Sequence, residues 1–213
     1  MIVIDNVSQA FERKRILDQI SISLDISKLY LLEGGNGSGK TTFLQILTDL
    51  MKPTNGEVSF KGKLSSKEEL FQNFGVFIGN NTLIPFVKAE EYFELVNSLR
   101  GNATDLNTFY SDLKPFFNNE ILGNSKPLAK FSAGNKSKVG IAAAFIGNPE
   151  FVVLDEPFAH LDANANAELQ KLLELRYWNK NGGGIVSCHV SDVNPLLFDA
   201  KLTLSDGRIT EEK

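Results

Sequence analysis

A chain of 213 residues, 42% of them hydrophobic, is long enough to bury a sizeable core, as one α/β domain or as one core carrying an insertion. Its net charge of −4 argues against nucleic acid as the main partner, and a single cysteine, Cys188, excludes a disulfide framework and fits a reducing compartment. No Cys/His cluster has zinc spacing, no basic-then-apolar leader opens the chain, and the longest apolar run, residues 141–146, is too short for a bilayer. The expectation is a cytoplasmic protein that reaches a membrane only through a partner.

Residues 1–27 alternate in period two, with Ile2 and Ile4, then Ile20, Ile22, Leu24 and Ile26, and predict antiparallel strands joined through residues 11–15. Phe11, just before that basic turn, reads either as a core residue or as a ring that stacks on a nucleotide base. The run Leu29-Tyr30-Leu31-Leu32 predicts a buried strand. It leads into Gly34-Gly35-Asn36-Gly37-Ser38-Gly39-Lys40-Thr41-Thr42, which fits G-x-x-x-x-G-K-[ST]. Glycines let such a loop turn sharply and bring backbone N–H groups onto a phosphate chain. The following helix terminus adds partial positive charge, Lys40 an ammonium, and Thr41 a hydroxyl that can ligate Mg²⁺. These residues point to a nucleoside triphosphate.

Residues 41–51 predict an amphipathic helix ending near Pro53. Residues 54–56 predict a turn, 57–61 a strand, and Gly75-Val76-Phe77-Ile78 a short buried strand broken by Gly79-Asn80-Asn81. From Pro85 the texture becomes helical: Phe86, Phe93, Val96 and Leu99 mark one helix, and Leu106, Phe109, Tyr110 and Leu113 a second. Residues 71–117 hold ten of the chain's twenty Phe and Tyr residues. Most fit the thin core of a helical subdomain, and a few fit an exposed patch that docks another protein.

Ser132 is a good N-cap for a helix over 132–147, whose first turns hold Ser132, Gly134, Lys136 and Lys138 and no acid, a comfortable place for an anion. Phe151-Val152-Val153-Leu154 is an apolar strand ending in Asp155-Glu156-Pro157. A helix follows over 163–180. Gly184-Ile185-Val186-Ser187-Cys188 predicts a buried strand ending at His189, and Asp206-Gly207 a hairpin turn. Alternating strands and helices give a mostly parallel sheet with helices on its faces.

Ligands of an open parallel sheet gather at the carboxyl ends of its strands. Asp155, directly after an apolar strand, is placed to hold Mg²⁺. Glu156 points to the other side of the chain and can take a proton from a water attacking a γ-phosphate. His189 sits where a γ-phosphate contact is feasible, and His160 is assigned no chemistry.

The chain now resembles a known family, the nucleotide-binding subunits of ABC transporters. Residues 34–42 resemble its phosphate loop, and Phe131-Ser132-Ala133-Gly134-Asn135 its LSGGQ signature, with Ser132 and Gly134 on matching positions. Residues 151–156 resemble the Walker B strand and catalytic glutamate. Ala159-His160-Leu161-Asp162 resembles the D-loop, His189 the switch histidine, and Phe11 the aromatic that stacks on adenine. The glutamine of the family's Q-loop is absent: Gly79 stands there, with Asn80 and Asn81 adjacent, and Ala133 and Asn135 replace two signature residues.

The resemblance implies a P-loop NTPase core, mostly parallel sheet flanked by helices, over 28–81 and 131–213, with an antiparallel part over 1–27 and a helical insertion over 82–130. It implies ATP with Mg²⁺, and a head-to-tail dimer with a second copy or a divergent partner. In that dimer ATP would lie between Lys40, Thr41 and Glu156 of one subunit and Ser132 and Gly134 of the other, with Asp162 nearby. A separate transmembrane permease would take up the motion, most simply in export. Two other readings compete: a soluble ABC-type ATPase, which would bring a coiled coil, a tandem cassette or a basic face, and a weakly active regulatory nucleotide-binding module.

Overall fold

The computed structural model describes residues 1–12, 14–79, 82–178, 182–188 and 193–212. Its larger sheet has six strands in the order β10-β9-β3-β8-β7-β6: Arg208–Glu212, Ala200–Ser205, Leu29–Glu33, Gly183–Ser187, Phe151–Asp155 and Phe74–Ile78. All neighbours are parallel except β10, which returns antiparallel to β9 through the Asp206-Gly207 turn. Both turn residues have positive φ, 50° and 76°, as the tightest hairpin turns require.

A parallel sheet covered on both faces needs strands that are apolar throughout. In β3, Leu29 and Leu31 enter one core and Tyr30 and Leu32 the other. In β7, Val152 and Leu154 face the first core and Phe151 and Val153 the second. The first core lies under α6 (Ala133–Phe145) and α7 (Ala163–Trp178), together with α3 (Ala89–Leu99), α4 (Leu106–Asp112) and α5 (Lys114–Phe117). The second lies between the sheet, α1 (Lys40–Leu47) and a separate antiparallel sheet.

That antiparallel sheet is wider than residues 1–27. To β1 (Ile2–Phe11) and β2 (Lys14–Leu24) it adds β4 (Asn55–Phe60) and β5 (Lys63–Leu64), in the order β2-β1-β4-β5. The strand expected at 57–61 therefore belongs here, paired Ile2↔Phe60 through Asp5↔Glu57, and not with the parallel core. Between β5 and β6 runs α2 (Lys67–Asn73), capped by Ser66 accepting from the Glu69 N–H, an element the apolar pattern did not announce.

The helical readings are corrected in two places. The helix after the phosphate loop stops at Leu47, and Asp49 takes φ 56°. Phe86 lies outside α3 and is 79% exposed. Most aromatic rings of 71–117 are core: Phe93 lies 5.8 Å from both Phe117 and Phe109, and Phe74 packs edge-on against Phe60 at 5.2 Å. Among the described residues no helix is long and apolar enough to cross a membrane.

Candidate functional site

The adjacent strands β3, β8 and β7 end on one edge of the sheet, where Leu32 pairs with Ser187 and Ser187 with Asp155. Chain order hides this: residues from 32 to 187 are brought into one row.

From β3 the chain turns through residues 34–39 into α1. Gly39 is the N-cap of α1 with φ 108°, and a Cβ there would lie 2.8 Å from Ile16 Cγ2, so only glycine fits without strain. Residues 34–38 line a cavity of about 700 Å³ together with Lys14, Arg15, Ile16 and the turn 203–207. Ser38 Oγ is buried and has no hydrogen-bond partner among the described residues. Such an orphan is a donor waiting for an acceptor. Phe11, 45% exposed, is not among the residues lining this cavity.

Lys40 is only 6% exposed. Its Nζ donates to Gly34 O at 2.9 Å and Gly35 O at 3.4 Å, and lies 3.5 Å from Glu156 Oε1. Thr41 Oγ1 donates to Asp155 Oδ2 at 2.6 Å, and Thr42 continues the helix half-buried. Strand alternation by itself sends Glu156 to the other side of the chain from Asp155. Instead both carboxylates meet the phosphate loop, because Glu156 takes φ 45°, a left-handed conformation rare for a residue with a side chain.

What holds that turn is Ser187, to which the sequence alone assigns no role. Its Oγ donates to Asp155 Oδ1 at 2.5 Å and accepts from the Glu156 N–H at 2.9 Å, and its carbonyl accepts from the same N–H at 3.0 Å. The available signal was a serine ending an otherwise apolar buried strand. His189, Asn80 and Asn81 lie outside the described residues.

The second cluster is at the start of α6. Ser132 caps it, its Oγ accepting from the Asn135 N–H at 3.1 Å. Gly134 presses on the 157–162 loop so closely that a Cβ would lie 2.7 Å from His160 O. Of the two lysines in these turns, Lys138 is not free to meet an anion. Lys138 is 2% exposed and paired with Glu120 Oε2 at 2.9 Å and Asp162 Oδ2 at 3.3 Å. Acids absent from the local sequence are supplied by two other segments. Asp162 also accepts from the Ala165 N–H at 2.8 Å, capping α7. That bond first, and Lys138 after it, hold its carboxyl below the ordinary range.

A separate groove of about 520 Å³ lies beyond the end of α1, between α2, α3, β6 and α6. Its walls include Leu50, Phe71, Tyr92, Val96 and Arg100; Leu50 is 58% and Phe71 40% exposed.

For a triphosphate the fit is good: a glycine-rich cradle, a buried ammonium and an unpartnered hydroxyl. For Mg²⁺ it is also good, since Thr41 and Asp155 offer two hard oxygens 2.6 Å apart. Among the described residues no group of three His, Cys, Asp or Glu side chains forms a metal cage.

A family model described as "ABC transporter" matches residues 17–159. The lantibiotic transport ATP-binding protein SrtF of Streptococcus pyogenes is 29% identical over all of this chain and 90% of its own length. An uncharacterized ABC transporter ATP-binding protein of Bacillus subtilis, YybJ, is 30% identical over 100% of this chain and 97% of its own. The bacitracin transport ATP-binding protein BcrA of Bacillus licheniformis is 27% identical over 97% and 67%. Among solved structures, a dimeric ATP-binding cassette in a post-hydrolysis state with ADP and Pi superposes with TM-score 0.85 at 22% identity, covering 100% of this chain and 98% of that one. That likeness is one of fold.

Proposed function

This chain belongs to the ABC transporter family as an ATP-binding cassette, and from that premise we propose that it hydrolyses ATP with Mg²⁺ to drive a membrane transporter by closing head-to-tail on a second cassette. The observation that carries the proposal is the paired contact of loop and strand, Lys40 with Glu156 and Thr41 with Asp155. Lys40 exchanges the Glu156 carboxylate for phosphate oxygens, and the backbone N–H groups of residues 34–39 and Ser38 Oγ hold the phosphate chain. Thr41 and Asp155 hold Mg²⁺, which when bound offsets phosphate charge. Glu156, released from Lys40, orients water and takes its proton, with His189 beside the γ-phosphate and Phe11 stacked on the base. Ser132 and Gly134 meet the γ-phosphate of the other subunit, and Asp162 keeps the intervening loop in place.

The cassette sits on the cytoplasmic face of the membrane and contacts it only through the permease. A permease segment enters the groove walled by Leu50 and Phe71, beside the helical subdomain at 82–130. The relatives named for lantibiotic and bacitracin transport support a transport role, and export is the direction proposed for it. Glu156→Gln with ATP and Mg²⁺ should elute as a dimer on a sizing column and turn over slowly, while Lys40→Ala should do neither and EDTA should abolish wild-type turnover. A Glu156→Gln protein that stays monomeric at high ATP and protein concentration sinks the sandwich.

A further inference from the structure

Ser187 closes β8 and is completely buried, at 0% exposure. Register sets it directly beside Asp155, on the edge of the sheet where β3, β7 and β8 end. A hydroxyl shut away from water is costly unless its donor and its acceptor are both used. Here both are. Its O–H goes to one oxygen of the Asp155 carboxylate, Oδ1 at 2.5 Å, while the Thr41 O–H takes the other, Oδ2 at 2.6 Å. A lone pair of the same Ser187 oxygen accepts from the Glu156 N–H at 2.9 Å. One hydroxyl therefore ties the side chain of residue 155 to the backbone of residue 156. A valine would suit a buried strand better and would supply neither bond.

We propose, resting on the reading of Glu156 as the base, that Ser187 is a positioning residue for hydrolysis. It meets neither nucleotide nor water and acts through its grip on Glu156. The φ of 45° turns the Glu156 carboxylate toward Lys40, whereas an extended backbone would carry it to the opposite side of the chain. The Ser187 carbonyl also accepts from the Glu156 N–H, at 3.0 Å, so that N–H keeps a partner when the hydroxyl is removed. What disappears is the link from that N–H to the Asp155 carboxylate. Without it the peptide between residues 155 and 156 is free to swing, and the base leaves the line of attack. Misplacing a reacting group by about 1 Å costs up to about a hundredfold in rate. Nucleotide affinity is set by the phosphate loop and Lys40, which Ser187 does not touch.

The test is a double-mutant cycle on the full chain: wild type, Ser187→Ala, Glu156→Gln and the double variant. Phosphate release from ATP with Mg²⁺ gives kcat and KM, and calorimetry gives the affinity for ADP without magnesium. Ser187→Ala removes one oxygen atom, and Asp155 is only half-buried, so water can replace the lost donor and the fold survives. Its kcat should fall about ten- to a hundredfold with KM within about threefold of wild type. ADP should bind it at least as tightly, because Lys40 keeps its place and loses a competitor. The double variant should match Glu156→Gln to within about twofold, since a residue acting through the base then has nothing left to position. Unchanged kcat in Ser187→Ala, beside a slow Glu156→Gln, overturns this proposal alone. So does a double variant slower than Glu156→Gln by the whole factor that Ser187→Ala costs the wild type, which puts the effect outside the base. An ADP affinity that falls in step with kcat overturns it too, as a general distortion of the site. Wild-type kcat in Glu156→Gln overturns the reading of Glu156 as the base, and this proposal with it.

Discussion

The ammonium of Lys40 faces the carboxylate of Glu156 at 3.5 Å. Any phosphate must displace that carboxylate, so Glu156→Gln should tighten nucleotide binding as well as slow hydrolysis. Coulomb attraction at this separation is about 1 kcal/mol with the screening of bulk water and about 5 kcal/mol with that typical near a protein surface. Lys40 is buried, but the Glu156 side chain is 47% exposed, which places the pair near the lower end, about 1–2 kcal/mol. Removing that competition should lower the Kd about five- to thirtyfold. ADP without magnesium is the right probe, because it engages the Lys40 region while keeping hydrolysis and ATP-driven dimerisation out of the readout. Titration calorimetry at low salt should show the tightening, and raising the salt should shrink it. Unchanged or weaker ADP binding by Glu156→Gln would refute the idea that this carboxylate holds the phosphate-binding lysine in reserve.

Three further outcomes follow from the second cluster. Lys138→Met should cost no more than about 1 kcal/mol in urea unfolding, because Glu120 and Asp162 are 45% and 54% exposed and rehydrate. Glu120→Gln with Asp162→Asn strands a buried ammonium and should cost about 3 kcal/mol or more. Equal costs would show that the pair has been misjudged. Gly134→Ala sets a Cβ against the backbone oxygen of His160, which cannot swing away, and should lose about 1–3 kcal/mol of stability and most ATPase turnover; a wild-type melting curve would count against that contact. The Asp162 carboxyl is held below its ordinary 3.8, so its contribution is complete above that value and disappears as pH falls through the lower folded-state value. The stability gap between wild type and Asp162→Asn should therefore be constant near neutrality and close on acidification below about pH 4, as acid titrations of urea midpoints can show.

Local sequence carried the phosphate loop, because glycines, a lysine and a threonine at fixed spacing after an apolar strand leave few other uses. It carried the strand ends at Asp155 and Glu156, since an unbroken apolar run has to be buried on both faces and its polar successor has to emerge at the sheet's edge. It carried Ser132 as a cap, which needs only the neighbouring Asn135 N–H. Helices α3 and α4 showed in their periodicity, because one face of each packs on the core, whereas the four-residue α5 did not.

Other features depend on partners distant in the chain. β4 joined β1, and the two-residue β5 joined β4, through backbone bonds that no side-chain pattern encodes. Lys138 looked like an open cation until folding placed Glu120 and Asp162 against it. Glu156 turned toward Lys40 because Ser187, on the adjacent strand, grips its N–H and stabilises a left-handed backbone that the residue by itself disfavours. The kind of chemistry was thus written in short stretches whose meaning does not depend on their neighbours in space. Which carboxylate meets which cation was decided by the order of strands in the sheet, because electrostatic contacts reach only a few ångströms and that order sets who stands within reach.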